Sequence, residues 1–113
     1  MIIACTYDLI SQSIFPHFGR TSFFFVYDSN AKQAIIMDSQ GKSHADLVPL
    51  LAEANVNVLL CGGIGSHAIE LLNQAHIEVV PGVTGPIEKA IDDYLAGILK
   101  PDMSMVHECS HHY

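Results

Sequence analysis

Apolar residues in the first third of the chain form three short runs with the length of β-strands. The runs are Ile2–Thr6, Phe23–Asp28 and Gln33–Asp38. The second run is apolar at both alternating positions, which predicts a central place in a sheet, and the turn at residues 29–32 joins it to the third as a hairpin. Residues 7–21 show no period and contain Pro16 and Gly19, so we expect a loop there.

After residue 40 the hydrophobic spacing changes to that of amphipathic helices. Apolar residues spaced i, i+3, i+4 and i+7 from Leu47 to Ala54 predict a helix. Asp46 is its expected N-cap, and Pro49 falls in the first turn, where a missing N–H costs little. The later predicted elements are a strand at Val56–Cys61, a helix at Ser66–Ala75, a strand at Ile77–Val80, and a helix that begins at Gly85-Pro86 and ends before Gly97.

The predicted element order is β-β-β-α-β-α-β-α, and it favours an α/β fold. A hairpin followed by right-handed βαβ crossovers gives a five-stranded mixed sheet with helices on its faces, in the ribonuclease-H-like arrangement. The first strand then lies beside the fourth, so Cys5-Thr6 and Cys61-Gly62 should meet at the edge where open α/β sheets bind ligands. We expect one domain at residues 1–99 and a flexible tail at residues 100–113.

Composition narrows the classes of function. The chain has 113 residues, a formal net charge of −7 and five Lys and Arg in total, which is too few for a nucleic-acid interface. The N-terminal apolar run stops at Asp8, far short of the ~20 residues of a spanning helix, so no membrane partner and a cytoplasmic location are expected. Three cysteines do not describe a disulfide framework.

The segment LLCGGIGSHA at residues 59–68 is the main candidate for chemistry. It is not a Walker phosphate loop, because no lysine occurs between Lys42 and Lys89. It matches the dinucleotide pattern G-x-G-x-x-A, but the following strand ends without the acidic residue that would hold a ribose. A two-metal nuclease is also disfavoured, since Cys61 stands where a carboxylate is needed.

A soft-metal pocket remains, in which glycines let backbone N–H groups approach an anion. Cys61 at the base of the turn and His67 on the first turn of a helix offer thiolate and imidazole ligands for a metal or an iron–sulfur cluster. The alternative is that Cys61 is a small buried residue closing a strand.

Three blocks of sequence resemble a known family. Pro16-His17-Phe18-Gly19-Arg20, followed by an aromatic strand ending in Tyr27-Asp28, is similar to the opening of the dinitrogenase iron–molybdenum cofactor biosynthesis family. The turn at residues 61–65 (CGGIG) and the segment at residues 80–85 (VPGVTG) resemble its second and third blocks. The resemblance extends from about Ile2 to Leu99, nearly the whole chain.

This resemblance implies a protein that binds, carries or protects a metal cluster during metallocofactor assembly. We expect it not to be an enzyme, because the sequence offers no convincing set of nucleophile, base and orienting residue. The cluster would be of the iron–sulfur or iron–molybdenum type, or contain molybdenum and copper. The implied partners are proteins that donate and accept the cluster, and the implied state is a monomer or weak homodimer. No catalytic residue is expected. The competing hypothesis is a protein-interaction or regulatory module that kept the fold without the cofactor, and a weaker one is an anion or nucleotide binder that uses the glycine turns alone.

The three blocks can converge on one edge of the sheet. The candidate cofactor-binding residues are His17, Cys61, Gly62, Gly63, Gly65, His67, Cys5 and Arg20. Three of them have a plainer alternative: His17 as a loop residue bonded to backbone, Arg20 as a partner of Asp28, and Cys5 as a core residue. His44 occupies a family-like position before a helix, or is a solvated first-turn residue.

The C-terminal sequence HECSHHY forms a second group of candidate ligands. His107, Cys109, His111 and His112 could wrap one Zn, Ni or Cu ion without a fold around it, or pass metal to the pocket. The alternative is a disordered chain end.

Overall fold

The computed structural model of the protein describes residues 1–107. Within this range the strands are β1 (Ile2–Asp8), β2 (Ser13–Ile14), β3 (Phe23–Asp28), β4 (Gln33–Asp38), β5 (Val58–Leu60), β6 (Ile64–Gly65), β7 (Glu78–Val80) and β8 (Val106–His107). The helices in the same range are α1 (Leu47–Glu53), α2 (Ser66–Gln74) and α3 (Ile87–Leu95). None of these helices is long and apolar enough to cross a membrane.

The main sheet has the predicted mixed topology. Its strand order is β4-β3-β1-β5-β7, with β2 paired to the end of β1. β1, β5 and β7 are parallel, whereas β3 and β4 form the antiparallel hairpin. Cys5 lies opposite Leu60 in the register of β1 and β5, so the ends of the first and fourth predicted strands are neighbours, as the sequence predicts. The α/β, ribonuclease-H-like fold class is confirmed.

The sheet separates two hydrophobic core clusters. Alternation along β1 directs Ile3 and Cys5 to the face covered by α3, and Ala4 to the face covered by α1 and α2. Phe24 joins Ala4 on the second face, and Phe25 packs on the first. Because both faces of the sheet are buried, β1 and β3 are apolar along most of their length and do not alternate between apolar and polar residues.

Element boundaries differ from the predictions by a few residues. β5 begins at Val58, two residues later than predicted, and Asn57 just before it is hydrogen-bonded to the start of β1. The Ile2 N–H donates to Asn57 Oδ1 at 2.6 Å, and the Asn57 N–H donates to the Ile2 carbonyl at 2.8 Å. The predicted loop at residues 7–21 also contains the short strand β2 and a 3-10 turn at Phe18–Arg20.

Residues 101–107 fold onto the domain, although the sequence groups them with a flexible tail. The Asp102 N–H donates to the Pro81 carbonyl at 2.9 Å, and the Asp102 side chain accepts from the Ser104 N–H at 3.0 Å. β8 then pairs in parallel with β6. Cys109, His111 and His112 lie outside the described residues.

Candidate functional site

The loop before Phe18 and the glycine turn after β5 are joined through their backbones. The Gly63 N–H donates to the Pro16 carbonyl at 2.7 Å, and the Phe18 N–H donates to the Gly63 carbonyl at 2.9 Å. A Cβ at Gly62 would lie 2.5 Å from the Pro16 carbonyl oxygen, so this position needs glycine for close backbone approach. Two of the three sequence blocks therefore meet directly.

The third block closes against the same turn. The Gly82 N–H donates to the Gly62 carbonyl at 3.0 Å, and the Val83 N–H donates to the Cys61 carbonyl at 2.9 Å. The Ile14 N–H also donates to the Gly85 carbonyl at 2.9 Å, which links the first loop to the third. The predicted convergence of the three blocks is confirmed, because each follows the carboxyl end of a parallel strand.

An open groove of about 360 Å³ lies between the first loop and the glycine turn, and we call it the basic groove. It is lined by His17, Gly19, Arg20, His44, Gly63, Ile64 and Gly65. None of these seven residues is acidic, and Arg20 is one of only five Lys and Arg in a chain of formal net charge −7. Of the predicted cofactor-binding residues, the structure brings His17, Arg20, Gly63 and Gly65 together here.

His44 is a groove residue that the sequence reasoning did not place in the site. Its imidazole lies directly over Gly19, where any Cβ would collide with the ring. A side chain at position 19 would therefore have to displace the ring of His44. His44 has a left-handed backbone, with φ at 49°, which is uncommon for a residue other than glycine. The only sequence signal was its position before a helix.

His17 and Arg20 are both exposed on the rim of the groove. The His17 ring makes an edge-on contact with the ring of Phe15, with 6.2 Å between centroids. Arg20 ends the 3-10 turn that begins at Phe18 and makes no ion pair with Asp28, the alternative that the sequence left open. Both side chains are therefore open to a ligand from solvent.

Cys5 and Cys61 are fully buried and do not line the basic groove. Cys5 packs in the core on the α3 side of the sheet, whereas Cys61 packs on the α1 and α2 side. Burial raises the pKa of the Cys61 thiol from 9.0 to about 12. The pKa of Cys5 is also raised, first by burial and second by the charge of Cys61. Both side chains are thus neutral thiols near pH 7, and their role as ligands stays a prediction.

His67 lies outside the lining of the groove. It is an exposed residue in the first turn of α2, with its Nδ1 4.0 Å from Glu70 Oε2. The side chains that the structure describes include no group of three His, Cys, Asp or Glu arranged to hold a metal ion. The described part of the chain thus offers imidazoles, one guanidinium and backbone groups at the groove.

The protein is a small α/β domain with a mixed sheet, and the basic groove lies at one edge of that sheet, between the first loop and the glycine turn. The family described as dinitrogenase iron-molybdenum cofactor matches residues 1–97. The chain belongs to this family, in agreement with the three sequence blocks.

Solved structures share this fold over most of their length. The crystal structure of PH0822 is 32% identical with a TM-score of 0.82, and the match covers 90% of this chain and 95% of that one. The apo form of the orange protein from Desulfovibrio gigas is 29% identical with a TM-score of 0.78, covering 89% and 92%. The NMR structure of TM1290 from Thermotoga, at 22% identity and a TM-score of 0.73 over 88% and 91%, is a likeness of fold alone. No protein with a curated description matches the chain.

Proposed function

We propose that this protein binds an iron–sulfur or molybdenum-containing cluster in the basic groove, and carries or protects it during assembly of a metallocofactor. The observation that carries the proposal is the lining of the groove, which includes one arginine and two histidines and no acidic residue. Although the chain as a whole is acidic, this lining favours the binding of an anion in the groove. Membership in the dinitrogenase iron-molybdenum cofactor family supports a metal–sulfur cluster as that anion.

The residues at the groove fit such a cargo chemically. The imidazoles of His17 and His44 are ligands for iron and copper. The Arg20 guanidinium donates up to five N–H groups toward sulfide or oxo groups of an anion. The glycine turn lets a ligand approach the backbone closely. The protein performs no chemical step in this proposal.

We propose that Cys61 is a core residue that packs beneath the groove and supports it, and not one of the ligands, as the sequence suggested. Ligation would require its buried thiol to lose a proton and the turn to open, against a pKa of about 12. Cys61 packs in the same core cluster as Ile64, which lines the groove. Cys5, on the opposite side of the sheet, is assigned to the core for the same reason.

The open position of the groove favours transfer over permanent storage. His17, Arg20 and His44 are all exposed, so a donor protein can deliver a cluster and an acceptor can remove it without unfolding the carrier. We therefore propose transient complexes with donor and acceptor proteins at this edge of the sheet.

The test is anaerobic reconstitution of the full chain, once with iron and sulfide and once with tetrathiomolybdate and copper. We expect a coloured, stoichiometric species, and at least about tenfold weaker binding in Arg20→Gln and His17→Gln, because each removes a charged or ligating contact. Lys32→Gln is the matched control: it removes one positive charge at the turn between β3 and β4, at the opposite end of the sheet.

Two other outcomes would change the assignment. Loss of the coloured species in Cys61→Ser, with the fold intact by circular dichroism, would restore Cys61 as a ligand. Absence of any cluster in the unmodified chain would reject the proposal and favour the protein-interaction module.

A further inference from the structure

The strand β4 forms one edge of the main sheet and carries apolar side chains there. In the part of the chain that the structure describes, β4 pairs only with β3. It has six residues and no proline, whereas β7, at the opposite edge of the sheet, has three residues. Two of its apolar side chains are largely exposed, Ile35 at 61% and Ile36 at 49%. A long, apolar edge strand is a template for pairing with another strand.

The hydrogen bonding of the hairpin shows which residues of β4 face this open edge. The Ser39 N–H donates to the Ser22 carbonyl at 2.9 Å, and this pair extends the register of β3 and β4 by one residue. Hydrogen-bonded pairs alternate with non-hydrogen-bonded pairs along an antiparallel ladder. The N–H and C=O groups of Ala34, Ile36 and Asp38 therefore point away from β3. A strand added beside β4 would bond to these groups.

Two copies of β4 can pair antiparallel about a twofold axis, and charge favours one register. Outward-facing residues must lie opposite each other, so only alternate registers are permitted. In the register centred on Ile35, Ala34 lies opposite Ile36 of the second copy, and Lys32 lies opposite its Asp38. The two neighbouring permitted registers place Asp38 opposite an uncharged residue. Opposite charges across strands stabilise a sheet, so the register centred on Ile35 is favoured.

The face of the sheet that carries α3 has room for the second copy. An open groove of about 430 Å³ lies between the hairpin and α3, and its lining includes Ala34, Tyr27 and Ile91. Ile36 is on the same face as Ala34, because it is two residues further along the strand. In the favoured register, Ile36 of the second copy lies beside Ala34, at the mouth of this groove. The small side chain of Ala34 leaves space there for the larger one.

We propose that the protein forms a symmetric homodimer, in which the β4 strands of two copies pair antiparallel around Ile35 and join the two main sheets. Lys32 of each copy pairs with Asp38 of the other. One short strand pair buries less surface than a standard interface, so we expect a weak dimer with a Kd of about 1 to 100 µM. None of the described residues that line the basic groove belongs to β4, so both grooves stay open. The dimer therefore does not depend on the proposed cluster.

The experiment is sedimentation velocity of the full chain from about 1 to about 500 µM, under reducing conditions that prevent cysteine oxidation. We expect reversible dimerisation. Ile35→Lys should weaken it at least about tenfold, because it places two positive charges opposite each other at the twofold axis. Ile98→Lys is the matched control, since Ile98 lies outside β4 and has a similar exposed fraction of 64%. The control should dimerise like the unmodified chain.

A charge exchange tests the register. Lys32→Asp and Asp38→Lys should each weaken the dimer at least about tenfold, because each places like charges opposite each other at both ends of the paired strands. Aspartate tolerates the left-handed backbone of Lys32, whose φ is 56°. The combined variant, with both charges exchanged, should recover a Kd within about threefold of that of the unmodified chain.

Folding of each variant is checked by circular dichroism. Asp38 also accepts a hydrogen bond from the Gln40 N–H, and the combined variant lacks this bond as well. Its recovery could therefore not be an effect on folding. A chain that stays monomeric at about 500 µM, a dimer that survives Ile35→Lys, or a combined variant that stays dissociated overturns the proposal.

Discussion

The imidazole of His44 occupies the space above Gly19 that a side chain at that position would need. A Cβ built on Gly19 collides with two atoms of the ring and is in tight contact with a third. Because His44 is an exposed residue in a short 3-10 turn, the ring can move aside more easily than the backbone can. Gly19 therefore controls the position of His44 at the groove.

We predict that Gly19→Ala displaces His44 and weakens ligand binding at the groove, with a loss of stability below about 1 kcal/mol. Binding is measured by anaerobic reconstitution with tetrathiomolybdate and copper, and stability by urea unfolding. In a double-mutant cycle, Gly19→Ala should add little to the effect of His44→Asn on binding, because the two changes act on the same ring. Fully additive effects would show that Gly19 acts independently of His44.

Gly62→Ala should be far more destabilising than Gly19→Ala. At Gly62 the obstacle is backbone, with the Pro16 carbonyl oxygen 2.5 Å from the added Cβ. Relief of this collision breaks the hydrogen bond from the Gly63 N–H to the same oxygen. We expect a loss of at least about 2 kcal/mol in the free energy of unfolding. A value equal to that of Gly19→Ala would contradict a rigid junction between the two loops.

The buried thiol of Cys61 should make stability decrease at alkaline pH. Folding raises its pKa from 9.0 to about 12, so its stabilising contribution is complete below pH 9.0 and is lost as the pH rises toward 12. The maximum slope is about 1.4 kcal/mol per pH unit for each such group. Urea unfolding between about pH 8 and about pH 11 should give a flatter dependence for Cys61→Ala than for the unmodified chain. Cys109→Ser is the control. If it flattened the pH dependence of the unfolding free energy by the same amount, the loss of stability at alkaline pH could not be assigned to Cys61.

Local patterns were sufficient to predict the sheet and the edge at which the loops meet. The alternation in β1 and β3 and the helical spacing after Leu47 each come from burial of a whole face, which a sequence displays directly. The convergence of the three blocks follows from strand direction, because parallel strands end at a common edge. The strands, the helices and their common edge could therefore be predicted, because side-chain burial and strand direction can both be inferred from the sequence.

The composition of the groove could not be predicted in the same way. His44 enters it through contact between two 3-10 turns that are distant in sequence, and no period marks such a contact. Cys61 resembled a ligand because glycines follow it, yet its side chain continues the buried alternation of β5 into the core. β8 has only two residues, too few for a recognisable alternation.

We predict that Gly82 is needed to hold residues 101–107 beside the basic groove. Gly97 provides a matched comparison. Their φ angles are 75° and 76°, so at either position alanine would cost about 1 kcal/mol of stability for adopting a left-handed backbone conformation. A Cβ at Gly82 also collides with Asp102, whereas a Cβ at Gly97 meets nothing within 4 Å. Gly82→Ala should therefore accelerate amide exchange at Asp102, whose N–H donates to the Pro81 carbonyl, while Gly97→Ala leaves that exchange unchanged. Equal exchange in both variants would mean that residues 101–107 do not depend on this contact to reach the groove.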